Sequence, residues 1–134
     1  MTILNKILSL SLSVLMLTVP VSTTGTYTWY FSAGSGQATA KLTGTAYDNT
    51  AYAETQFRAP SDVFVDIHGS YTDSCGAIMS PYGFVTGNDV QSSSGYALTS
   101  VTKPQGTAWS SVSGLHMVYE NNTPIGSYNS NLPL

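Results

Sequence analysis

The chain has 134 residues and a formal net charge of −3, and only 8% of its residues are charged, where about 25% is usual for a soluble domain. Beyond the N-terminal segment, Lys41, Arg58 and Lys103 stand against seven acids, which excludes holding nucleic acid or an anionic membrane by charge, since both need clustered Lys and Arg. The lone Cys75 excludes an internal disulfide framework, so cohesion is expected from the core alone, with no cofactor and no metal.

The first 25 residues carry Lys6, an apolar run of 13 residues over 7–19, then Pro20 and the small residues Ser22, Thr23, Thr24 and Gly25. A positive start, a short apolar middle and a small-residue exit are the parts of a secretory signal peptide. The run falls short of the roughly 20 residues that a spanning helix needs. The expectation is a helical signal peptide over 1–25 and a single secreted, extracellular domain over 26–134 with no stable membrane anchor. Ser and Thr fill 28 positions of that domain, so its surface is kept wet by hydroxyls rather than by ions.

Strict alternation over 26–32 sets Tyr27, Trp29 and Phe31 inward and Thr28, Tyr30 and Ser32 outward, the period of a half-buried strand. After the turn at 34–36 a second strand is expected over 38–47. Asp48, Asn49 and Thr50 supply turn chemistry, and 51–58 returns as its hairpin partner. A break at 59–62 precedes a central strand over 63–71, with Val63, Val65, Ile67 and Tyr71 inward and Phe64, Asp66, His68 and Ser70 outward. Dense Gly, Pro and Ser over 72–94 predicts long loops around one short strand near 82–86.

A strand over 96–101 ends at Lys103-Pro104-Gln105-Gly106. Residues 108–120 alternate again, with Trp109, Leu115, Met117 and Tyr119 on one face and Val112, Gly114, His116 and Val118 on the other; the serines and Gly114 oppose a helix there. A turn at 121–124 leads to a last strand over 125–129. Short alternating runs separated by turn residues predict an all-β domain, a small antiparallel β-sandwich or, as the alternative, a small β-barrel.

Cys75 in Asp73-Ser74-Cys75-Gly76 and the downstream His116 supply the thiol and imidazole of a nucleophilic site. The layout resembles that of secreted papain-like peptidoglycan amidases, in which a cysteine opens a helix and a histidine begins a later strand. The resemblance implies Cys75 as nucleophile and His116 as base, while Pro81 between Gly76 and Gly83 opposes the helix. His68 and His116 with Asp66 or Asp73 lack a metal-ligand spacing, and Asp62, Asp66 and Asp73 lack that of a calcium loop. Asn121-Asn122-Thr123 fits a glycosylation triplet but is followed by Pro124.

Fifteen aromatics, nine of them tyrosine, are the richest source of recognition chemistry. Alternation points Tyr30, Tyr47 and Tyr52 away from the core, where an apolar ring with a polar tip suits a sugar or a protein surface. The same residues also simply suit a pleated sheet. The chain therefore reads as a non-catalytic secreted binder of a carbohydrate, cell-wall or protein partner. A bacteriocin-like antimicrobial or toxin protein and the Cys75–His116 amidase are the alternatives.

Overall fold

Alternating side chains give each strand one apolar face, and such faces are stable only when they are turned toward one another. The computed structural model, which describes residues 25–73 and 83–134, does this with two antiparallel sheets and no helix among the described residues. Its strands are β1 (Thr26–Ala33), β2 (Gly36–Thr43), β3 (Thr50–Gln56), β4 (Asp62–Asp73), β5 (Gly83–Thr86), β6 (Val90–Ser92), β7 (Tyr96–Thr102), β8 (Thr107–Glu120) and β9 (Thr123–Pro133). One sheet runs β1-β2-β3-β7 and the other β5-β4-β8-β9, with β6 pairing β4 beyond the end of β5. The expected leader, apart from Gly25, and Cys75 lie outside the described residues.

The inner faces are unequal. The four-stranded sheet lines the core with Ala33, Ala38, Ala40, Ala51, Ala53 and Ala97 around Trp29, Phe31 and Leu42. The five-stranded sheet answers with Val63, Val65, Ile67, Trp109, Val112 and Val118. Small residues opposite large ones let the layers interdigitate at the density that protein interiors require. At one seam, Tyr128 of β9 packs its ring against Trp29 (6.3 Å between centroids) and Phe31 (5.9 Å) of β1. Gly34 N–H donates to the Ile125 carbonyl across the same seam.

Four expectations are corrected. The second strand stops at Thr43 instead of 47, because Asp48 accepts the Thr45 N–H on its carboxylate (2.8 Å) and donates its own N–H to the Thr45 carbonyl, closing a turn before Tyr47 can pair. Trp109 shares the core face with Val112, Gly114, His116 and Val118 rather than with Leu115. A bulge causes this: Ser70 pairs with Ser111 and Tyr71 with Trp109, leaving Ser110 as an extra residue and flipping the alternation once. The Ser70 hydroxyl ties the bulge down at 2.7 Å from both Ser110 and Ser111 Oγ.

The last strand runs over Thr123–Pro133, well past 129. Ser130 and Leu132 are buried against β8 there, although Asn129, Asn131 and Pro133 disguise the pattern. The region read as loops also holds the three-residue β6.

Candidate functional site

The outward face of the four-stranded sheet gathers the tyrosines. Register places Tyr30, Thr39, Gln56 and Tyr96 in one row across the four strands, and Thr26, Thr43, Tyr52 and Ser100 in another. Tyr30 is 55% exposed, and Tyr52 and Tyr96 are each 42% exposed. Strand spacing and rise put the three Cα positions at the corners of a triangle with sides of about 14–17 Å. Lys41, Glu54 and Leu98 stand in the row between the tyrosine rows, and threonine hydroxyls line the face beside and beyond Tyr52, where Thr26 meets Thr43 at 3.4 Å and Thr50 meets Thr102 at 3.1 Å.

Tyr96 does not hang free. Its hydroxyl donates to Glu54 Oε1 at 2.7 Å, and the other Glu54 oxygen lies 3.8 Å from Lys41 Nζ. The hydrogen bond to Glu54, with burial and the carboxylate charge, holds the Tyr96 phenol above its ordinary pKa. This line across β2, β3 and β7 fixes the ring and leaves the face without net charge at its centre. Sequence reasoning passed over Tyr96, yet the alternation of buried Ala97, Thr99 and Val101 with exposed Tyr96 and Leu98 was the signal that finds it.

Tyr30 and Tyr52 stand where alternation placed them. Tyr47 does not share their sheet face, because it sits at the tip of the turn between β2 and β3, 74% exposed. Lys103 is buried in the β7–β8 turn and donates an ammonium N–H to the Thr107 carbonyl at 2.6 Å.

His116 is fully buried between the sheets. Its Nδ1 lies 2.9 Å from Thr55 Oγ1 of β3 and its Nε2 lies 2.8 Å from Ser130 Oγ of β9. Thr55 spends its proton on the Phe64 carbonyl at 2.8 Å, so it can only accept from the ring, which makes Nδ1 the protonated nitrogen. Nε2 then accepts from Ser130 at 2.8 Å, the shorter of that hydroxyl's two contacts, the other being the Gly114 carbonyl at 3.3 Å. Burial pushes the His116 pKa down to about 4, against smaller raising effects from the Glu54 backbone and Asp66. Gly114 leaves the room, since a methyl there would stand 3.0 Å from His116 Nε2 and 3.1 Å from Ser130 Oγ. The arrangement is a neutral hydrogen-bonded strut between the sheets.

His68 points the other way, to the outside of the five-stranded sheet, where its Nε2 meets Asp66 Oδ2 at 3.2 Å and its Nδ1 meets Thr86 Oγ1 at 3.3 Å. The two histidines thus lie on opposite sides of one sheet. The described residues contain no group of three or more His, Cys, Asp and Glu placed to hold a metal ion. Neither a protein-family model, a curated protein nor a solved structure matches this chain.

Proposed function

We propose that this protein is a non-catalytic binder exported by its N-terminal 25 residues, and that it docks an extended neutral polysaccharide on the outward face of its four-stranded sheet. The observation that carries the reading is the exposed set Tyr30, Tyr52 and Tyr96 on one face, with threonine hydroxyls beside them and a compensated Lys41–Glu54 pair at its centre. Tyrosine offers sugars an apolar ring and a polar tip. The triangle is wider than one sugar ring, so a single occupant reaches all three corners only as a chain or a surface. The near absence of fixed charge favours an uncharged polymer over an anionic one.

The test is retention of the purified protein on insoluble cellulose, chitin and isolated cell walls. Retention on at least one of them is expected, and the combined change of Tyr30, Tyr52 and Tyr96 to Ala should weaken it by about tenfold to a thousandfold, taking the usual worth of an aromatic contact at each ring. Tyr47→Ala, off the face, should leave it unchanged. Release from all three materials, or a triple variant retained like the parent, overturns the reading.

A further inference from the structure

The outward face of the five-stranded sheet carries a depression of about 420 Å³, within the usual range for a small-molecule site. Its frame is a grid of two rows: Asp66, Leu115 and Asn129 in one, His68, Ser113 and Asn131 in the next. Rows lie roughly 7 Å apart and strands roughly 5 Å apart, so Asp66 and His68 of β4 stand on one side of the hollow and Asn129 and Asn131 of β9 on the other, two walls with Ser113 and Leu115 of β8 as the floor between them.

These residue types are not what a strand selects. Asn and Asp are depleted in strands, yet Asp66, Asn129 and Asn131 sit in strand interiors on one face and converge on one hollow. Local choices that oppose the fold without serving the core mark places where something other than folding set the sequence. Neither asparagine helps the core: both are exposed on β9 while their neighbours Ser130 and Leu132 are buried.

One wall is already committed. Asp66 accepts the Leu115 N–H on Oδ1 at 2.7 Å and meets His68 on Oδ2, while His68 meets Thr86 with its other nitrogen. The opposite wall and floor offer two carboxamides and a hydroxyl. A carboxamide presents a carbonyl acceptor and two N–H donors side by side, the pairing that neighbouring sugar hydroxyls require. Leu115 supplies an apolar patch beneath, and the Asp66 carboxylate at the rim disfavours an anion.

We infer that this hollow is a saccharide site which grips the hydroxyls of a single neutral sugar ring through Asn129, Asn131 and Ser113. It stands apart from the tyrosine face on the other sheet and does not depend on it. A protein so built holds a polymer on one side and a sugar on the other.

The test is an NMR titration of ¹⁵N-labelled protein with cellobiose, mannobiose and N,N′-diacetylchitobiose, read at the side-chain amides of Asn129 and Asn131. At least one disaccharide should shift both signals saturably at millimolar concentration. The shifts of the Ser113 and Leu115 backbone amides should vanish in the double variant Asn129→Thr/Asn131→Thr, which places better strand formers and should melt no lower than the parent. Asn131→Asp, nearly isosteric, removes both donors of one carboxamide and should weaken binding severalfold with the fold kept. The Tyr30/Tyr52/Tyr96 variant should titrate like the parent, even where it has lost the insoluble polymer. No shift with any of the three sugars, shifts confined to the tyrosine face, or shifts of Ser113 and Leu115 that persist in the double variant overturn the inference.

Discussion

The two sheets differ on both of their faces. Inside, the four-stranded sheet is paved with alanine while the five-stranded sheet brings Trp109, Ile67 and four valines to meet it. Outside, the four-stranded sheet wears Tyr and Thr, which a pleated surface favours, whereas β9 of the five-stranded sheet wears Asn129 and Asn131, which it does not. A residue that suits its strand has two sufficient explanations, folding and function. One that opposes its strand has lost the first.

The inner difference is broken most severely at Trp109. This ring lies over Gly69, where even a methyl would overlap it, and is 1% exposed. Trp109→Ala should cost about 3–5 kcal/mol by leaving a cavity that the neighbouring alanines cannot fill. The reverse error on the small side, Ala40→Leu, should cost about 1–3 kcal/mol through overpacking. Urea midpoints at constant slope measure both; equal costs would mean that the layers do not interlock as small against large.

His116 sharpens the comparison because it is the polar centre of the large side and is met by Thr55 from the small side. Its folded pKa, about 4, lies below the ordinary 6.5, so the unfolded chain takes up the proton first as pH falls. The contribution is fully present above pH 6.5 and is lost progressively as pH falls toward 4, a total of about 3 kcal/mol. His116→Met should flatten that slope while lowering stability at neutral pH by about 1–3 kcal/mol, since the ring's bonds to Thr55 and Ser130 are lost and Ser130 keeps only its longer contact with the Gly114 carbonyl at 3.3 Å. A parent protein equally stable at pH 7 and pH 4.5 would contradict the strut.

Much of this was legible in the chain. Strict alternation over 26–32 and 63–71 gave strands, inward faces and the outward position of Tyr30 directly, because nothing local competes with the period there. Three things were hidden. The bulge at Ser110 reverses the alternation of β8 in a run of serines that betray no preference. The length of β9 is masked by the residues that make its outward face unusual. Tyr47 was misplaced because a side chain, Asp48, ended the strand before the period did. The hollow on the five-stranded sheet joins β4 to β9 across more than 60 positions, and register alone reveals it.

The smallest expected effect concerns Glu54, which ties the outer face of the four-stranded sheet together. Its pair with Lys41 is partly exposed at 3.8 Å, an interaction worth 0–1 kcal/mol, so Glu54→Gln should change stability by less than about 1 kcal/mol. Its bond to Tyr96 is a different matter, since a neutral amide cannot hold the phenol proton as a carboxylate does. In a spectrophotometric titration, one tyrosine that ionises above the ordinary value near 10 in the parent should move down toward it in the variant. Retention on insoluble polysaccharide should fall severalfold with the loss of a fixed ring orientation. If the titration changes and retention does not, Tyr96 is held for the sake of the sheet, and the outer face of the four-stranded layer is left with folding as its sufficient explanation.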